Sequence, residues 1–155
     1  MVAWYNATRA GQDCPELISN SVMIGPDYPF LNKALESLVG AESEFLNGRY
    51  NNCANRSYYA CFQAAIVALQ RAGVAPRGAS GQWSHAFVPS QFEGILINRR
   101  KLYPTELRGT LAHTYGLRQT ADYDEDPVTQ AEANRALTRT RSFLQIIQQE
   151  GGAAT

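Results

Sequence analysis

Three features of the 155-residue sequence predict an all-α fold, an up-and-down bundle of four to five helices with an irregular N-terminal arm. First, Tyr50–Ala72 runs without Pro or Gly. At about 100° per residue its polar Asn52, Arg56, Gln63 and Gln70 share one narrow strip. Almost everything else in it is apolar, and a helix apolar over most of its girth is surrounded by protein. Second, Leu31, Leu35, Leu38, Ala41 and Phe45 recur at helical spacing just upstream. Asn47-Gly48 stops that helix, so it and the central one form an antiparallel hairpin. Third, no segment shows strand alternation between turn signals.

The elements follow in order. Residues 1–28 read as the arm: they have no sustained period and carry Gly11, Pro15, Gly25 and Pro26. Trp4, Tyr5, Leu17, Ile18, Val22, Met23 and Ile24 predict that the arm docks on the body. Residues 29–150 read as one bundle with one core. Its first helix runs from Pro29 to Asn47. The central helix ends at Gly73, and Pro76, Gly78 and Gly81 make the next stretch a loop. Ser84 caps a third helix whose inward face is Val88, Phe92, Ile95 and Leu96. Pro89 fits only in a first turn, which sets the start near Val88. Asn98–Lys101 is a basic end suited to a helix C-terminus. Pro104-Thr105 opens a fourth helix, with Thr105 as cap, to about Tyr123. Asp126-Pro127 opens a fifth, with Ala133, Leu137, Leu144 and Ile147 inward.

Fourteen Lys+Arg balance fourteen Asp+Glu, so overall charge selects no partner. The distribution is uneven. Nine basic residues lie from Arg49 to Arg118 against Glu93 and Glu106, and Asp122, Asp124, Glu125 and Asp126 follow. Arg outnumbers Lys twelve to two, and its planar fork suits phosphate and carboxylate. A basic middle is compatible with a nucleic-acid surface, although solvated helix faces account for the same charges. Three cysteines cannot all pair, and Cys53 and Cys61 lie too far apart along one helix to bridge. Buried free thiols suit a reducing cytosol. The N-terminus lacks a charged region followed by an apolar run, and no window approaches the roughly 18 apolar residues of a membrane span. The expectation is a cytoplasmic protein with no membrane partner.

One residue breaks the pattern of the fourth helix. Taking Leu107 as origin, Leu111, Thr114 and Ala121 lie within about 40°, and Arg118 stands inside that apolar stripe at about 20°. An uncompensated buried guanidinium costs several kcal/mol. Arg118 therefore needs a carboxylate partner, a subunit interface or a cleft. Asp122, one turn on, supplies a carboxylate in the weaker Arg-before-Asp order. Two readings stand: an internal ion pair that fixes packing, or an Arg that faces a ligand.

Three stretches, NRSYYACFQAAIVAL in the central helix, WSHAFVPSQF at the third and GLRQTADYD at the end of the fourth, together resemble HEPN domains. More narrowly they resemble the subgroup paired with small nucleotidyltransferases. That subgroup shows Tyr-Tyr-Ala before an aromatic in its second helix, a His opening the next helix, and Arg-x-x-Ala-Asp-Tyr later. All three occur here in order, and the arm lies outside them. The resemblance implies a homodimeric bundle of four or five helices that acts as an RNA-linked, toxin-like component of a toxin–antitoxin pair. In catalytic members an Arg is followed, four to six residues on, by a His, and RNA is cleaved across the dimer without metal. The Arg attracts the scissile phosphate and the His transfers protons. A Tyr just after the His is a target of nucleotide transfer by the partner enzyme.

Arg118 matches the family Arg. The residues from Gln119 to Glu125 contain no His, and Asp122 and Tyr123 occupy the place of His-x-Tyr. A carboxylate titrates near pH 4 and repels phosphate, so it is a poor stand-in. His113 lies about 140° around the helix from Arg118, on a flank. His85 matches the subgroup's His and is the acid–base candidate, although a His near a helix start is commonly structural. The catalytic candidates are thus Arg118, Asp122, Tyr123 and His85, and the binding candidates Asn55, Arg56 and Tyr59. Tyr58 and Tyr59 read equally well as large apolar bodies whose hydroxyls find partners, and Arg56 as part of the outer strip. Two His with no acidic cluster argue against a metal site, including one built from Glu-x-x-His pairs, and no cofactor is implied. The expected protein is a homodimer that partners a nucleotidyltransferase antitoxin and binds RNA or a nucleotide, with any RNA cleavage metal-independent. The other reading is a non-catalytic dimer or interaction module in which Arg118 and Asp122 serve an interface.

Overall fold

The computed structural model describes residues 28–150, so the expected arm, apart from Tyr28 at the start of the first helix, lies outside the described residues. The helix α2 (Tyr50–Arg71) is the axis of the fold: thirteen of its 22 residues are buried. Five of those thirteen are alanines (Ala54, Ala60, Ala64, Ala65 and Ala68), which let neighbouring backbones come close on several sides at once. Preceding it, α1 (Pro29–Leu46) buries Leu31, Ala34, Ser37 and Ala41. The chain reverses between the two through Gly48, whose φ of 70° is left-handed and unstrained only for Gly. Among the described residues every regular element is helical.

The third helix departs from a uniform α-helix. A short α3 (Phe87–Gln91) continues without a break into a π-helical stretch, Phe92–Arg99. Ser84 Oγ accepts the Phe87 N–H at 3.0 Å, as a cap would, and Pro89 sits in the first turn. The wider π-turn changes which residues point inward. Phe92, Leu96 and Ile97 are buried and Ile95 is only partly so, because bonds from i to i+5 move the inward face one residue on. Arg100 N–H closes the stretch on the Ile95 carbonyl at 2.8 Å.

Two helix starts differ from the sequence reading. Residues Thr105–Leu107 form a separate 3₁₀ turn, and α4 spans Thr110–Tyr123. The break is at Arg108, which is extended (ψ 142°), and Gly109, which is left-handed (φ 75°). Thr105 makes no capping bond; instead the Glu93 carboxylate accepts the Gly109 N–H at 2.9 Å. Likewise α5 spans Gln130–Glu150, and Asp126-Pro127 precede it. The cap is Thr129: its Oγ1 accepts the Glu132 N–H at 3.3 Å while Glu132 Oε2 accepts the Thr129 N–H at 2.9 Å. That reciprocal pair satisfies two otherwise orphaned donors. Val128 is buried, with its N–H on Asn51 Oδ1 at 2.8 Å, so the segment before α5 is pulled inward and the helix starts later.

α2 packs against α1, α4 and α5. The main core joins Tyr58, Ile66 and Leu69 of α2 to Phe92, Leu96, Leu111, Phe143, Leu144 and Ile147. A smaller cluster of Ala41, Cys53, Ala54, Val128, Ala133 and Leu137 closes the other end. Cys53 and Cys61 are buried free thiols, and full burial pushes Cys61 up to about 12. No helix among the described residues is long and apolar enough to cross a membrane.

Leu69 is fully buried in the main core. Leu69→Ala is expected to lower stability by about 2–5 kcal/mol through lost burial and a residual cavity, measured by urea unfolding. A loss under about 1 kcal/mol would show that α2 is not the packed axis described here.

Candidate functional site

Among the described residues the less covered side of α2 lies between α1 and α4, where the polar strip and its flank point two ways. Asn55 and Tyr59, one turn apart, face α4. Arg56 and Gln63, about two turns apart, line the groove shared with Lys33, Glu36, Ser37 and Gly40 of α1. Ser37 Oγ donates to Gln63 Oε1 there at 3.1 Å.

On the α4 side, Thr114 is buried and its Oγ1 donates to the Thr110 carbonyl at 2.8 Å. One turn further on the same stripe comes Arg118, with only 18% of its side chain exposed. Its guanidinium carbon stands 5.2 Å from the Tyr59 ring centroid and 5.5 Å from that of Tyr58. A cation over two aromatic faces is attracted by both quadrupoles. Arg118 Nε donates to Asp122 Oδ2 at 3.2 Å. Asn55 Nδ2 donates to both oxygens of the same carboxylate, at 3.1 and 3.3 Å. The carboxylate is thus shared between α2 and α4. Among the described residues the terminal nitrogens of Arg118 donate to no side chain or carbonyl. This answers the requirement read from the sequence: the inward Arg has both a carboxylate partner and an aromatic bed.

His85, from the loop before α3, closes the cluster. Its ring lies 4.8 Å from Phe62, 5.6 Å from Tyr58 and 6.3 Å from Tyr115, centroid to centroid. Its Nδ1 is 2.5 Å from the Tyr58 hydroxyl. Burial, and then the Arg118 charge, hold the imidazole below its ordinary value, because both disfavour a second positive charge. Burial raises the Tyr58 hydroxyl well above the ordinary tyrosine range. Tyr115 accepts a hydrogen bond from Gln119 Nε2 at 2.6 Å and meets the Tyr58 ring edge-on at 5.4 Å.

Of the residues selected from sequence, Arg118, Asp122, Asn55, Tyr59 and His85 come together. Arg56 and Tyr123 do not. Arg56 is directed to the α1 groove, since one step along α2 rotates a side chain by about 100° away from Asn55. Tyr123 ends α4 and is 74% exposed, about 140° around the helix from Arg118. Tyr58 and Tyr115 belong to the cluster without having been selected. Tyr115 precedes Arg118 by three residues and Tyr58 precedes Tyr59 by one; Tyr58 reads from the sequence as an apolar body whose hydroxyl needs a partner, and that partner is His85. His113 lies on the exposed side of α4; partial desolvation, then the Arg139 and Arg135 charges, hold its imidazole below the ordinary value. Among the described residues no group of three metal-ligating side chains is placed to hold an ion.

Comparison with known proteins adds a lineage. A family model described as HEPN domain matches residues 29–150. A protein of Methanocaldococcus jannaschii named "Putative toxin MJ0605" is 30% identical over 115 residues, 74% of this chain and 80% of that one.

The shared carboxylate predicts coupling. Asp122→Ala is expected to destabilise by about 1 kcal/mol in urea unfolding. The Asn55→Ala and Asp122→Ala effects should be clearly less than additive in a double-mutant cycle; additive effects would mean the contact contributes nothing. A second expectation concerns acid. Both histidines are held below their ordinary value in the fold. The unfolded chain therefore binds protons first, and stability falls as pH drops through about 6.5. Thermal melts from pH 8 to 5 check this: the acid-side loss should shrink in His85→Gln/His113→Gln, and an unchanged profile would refute it.

Proposed function

The chain belongs to the HEPN domain family, and from that premise we propose that it binds RNA or a nucleotide through the Arg118 face. It would act as the toxin-type member of a toxin–antitoxin pair, a cytoplasmic homodimer with a nucleotidyltransferase as partner. The observation that carries the binding reading is the state of Arg118. Its Nε is tied to Asp122 and its plane rests on Tyr58 and Tyr59, so the group is pre-oriented at little further entropic cost. The two terminal nitrogens remain for an anion, and a guanidinium presents them in the geometry that phosphate oxygens accept. Tyr115 and His85, exposed beside it, offer ring faces of the kind on which unpaired bases stack.

Cleavage takes second place in this reading. Asp122 is already committed to Arg118 and Asn55, and no motif His follows Arg118. Metal-independent cleavage, in which the 2′-hydroxyl attacks the phosphate and the 5′-oxygen leaves, would leave proton transfer to or from those oxygens to His85. A second reading has its own support: the Asn55–Asp122–Arg118 contacts link α2 to α4 and would serve equally in a non-catalytic interaction module.

Salt-dependent RNA binding and RNA cleavage in chelator separate these. Arg118→Ala is expected to weaken binding at least tenfold, by loss of a charge-assisted contact, and to reduce the slope of log K against log salt by about 1. Unaltered binding would defeat the proposal. RNA cleavage in chelator that disappears in Arg118→Ala would promote the nuclease reading. Loss of fold or dimer with no effect on RNA would favour the interaction module.

A further inference from the structure

Tyr58 is fully buried, yet its hydroxyl must place its hydrogen somewhere. A buried O–H without an acceptor costs the desolvation of that group. Among the described residues its hydrogen-bonding partner is His85 Nδ1. Burial keeps the phenol protonated, so the phenol is the donor and Nδ1 the acceptor. An imidazole that accepts at Nδ1 carries its hydrogen on Nε2. Nε2 makes no hydrogen bond to any described residue, and His85 is exposed. Arg118 lies 5.5 Å and His85 5.6 Å from the Tyr58 ring centroid, and the Arg118 charge is felt at the imidazole.

From this geometry, and resting on the reading that the Arg118 face takes an RNA or nucleotide, we propose that Tyr58 holds His85 in its Nε2–H tautomer. That N–H and the terminal nitrogens of Arg118 together form a two-donor clamp for one phosphate group. His85 is then a binding residue, and Tyr58 a positioning residue that acts through it. Protonating His85 would put a second hydrogen on Nδ1, against the hydrogen of the Tyr58 hydroxyl. The hydroxyl would have to rotate and lose its acceptor inside the fold. The groups around the ring reinforce this. From α2 it meets Tyr58, Tyr59 and Phe62. From α4 it meets Tyr115 and the Arg118 charge, whose carboxylate Asp122 is engaged by Arg118 and Asn55. The His residue is thereby kept as an uncharged donor across the neutral range. A group fixed in that form is suited to holding a phosphate and ill suited to removing a proton from a hydroxyl.

The tautomer is read directly from long-range ¹H–¹⁵N correlations of the full chain between pH 5.5 and 8, with the His85 ring identified by its disappearance in His85→Gln. The expected pattern is neutral Nε2–H, persisting below pH 6.5. An Nδ1–H ring, a mixture, or a midpoint at or above pH 6.5 would overturn the proposal. Tyr58→Phe should convert the pattern to a mixture; an unchanged pattern would remove Tyr58 from its role. Binding is measured with a short labelled oligouridylate and with adenosine monophosphate. His85→Ala is expected to weaken at least one of these probes roughly tenfold. His85→Gln, whose amide nitrogen can stand near the Nε2 position, should stay within about threefold of wild type. Wild-type binding by His85→Ala, or equal loss in both variants, would overturn the clamp. The same pattern with the mononucleotide assigns the phosphate to a free nucleotide, and a pattern confined to the oligomer assigns it to the RNA backbone. If Arg118→Ala leaves both probes unaffected, the function proposed above falls and the clamp with it, while the ring tautomer still tests the role of Tyr58.

Discussion

The burial of α2 on nearly all sides governs the rest of the molecule. With thirteen of 22 residues inaccessible, this helix cannot lie on a surface, and α1, α4 and α5 have to enclose it. Its alanines allow close approach, and larger side chains from the surrounding elements, such as Phe92, Phe143 and Leu144, fill the space that remains. Among the described residues one side of α2, with its polar side chains, escapes cover. Because successive helical residues point about 100° apart, that side serves two neighbours: Asn55 and Tyr59 turn to α4, Arg56 and Gln63 to α1. The candidate site is therefore a by-product of how the central helix is packed.

A guanidinium at a seam between helices has to be compensated, and here several modest terms combine. The ion pair with Asp122 is partly exposed and contributes up to about 1 kcal/mol. Two aromatic faces add a comparable amount. Asn55 supplies two further contacts to the carboxylate without adding charge. The arrangement leaves Arg118 oriented by its Nε side and its ring neighbours. An arginine held this way loses little freedom on meeting an anion, and that pre-organisation is what separates a binding arginine from a flexible surface one.

Chemistry at the same seam is constrained by what surrounds His85. The ring is stacked among aromatics, bonded to a buried phenol and close to a positive charge. Desolvation by these neighbours, the phenol hydrogen at Nδ1 and the Arg118 charge favour an uncharged imidazole. Catalytic members of the family place a histidine a few residues after the arginine on the same helix; in this chain the imidazole near Arg118 comes from the loop before α3, and a carboxylate and a tyrosine take the motif positions. In this HEPN domain the imidazole beside Arg118 is thus supplied by a different element from the arginine's own helix.

Local pattern was enough for much of this. The helical period, the Gly48 turn and the continuous apolar girth of α2 set the helices and the identity of the central one, because each depends only on neighbours in sequence. The displaced Arg118 and its carboxylate one turn on were legible for the same reason, as were the three motifs that point to the family. What depended on distant groups was not. Thr105 carried a good local start signal, but Glu93, distant in sequence, captures the Gly109 N–H at the start of α4; the start of α5, by contrast, is set by the local Thr129–Glu132 box. The π-helical turn rotated Ile97 inward in place of Ile95. Tyr58 and His85, 27 residues apart, were joined by a hydrogen bond that only the packing of α2 against the loop before α3 could create. Sequence determined which side chains sit on which face; the tertiary structure decided which of those faces meet, since a buried donor takes the acceptor that folding brings to it.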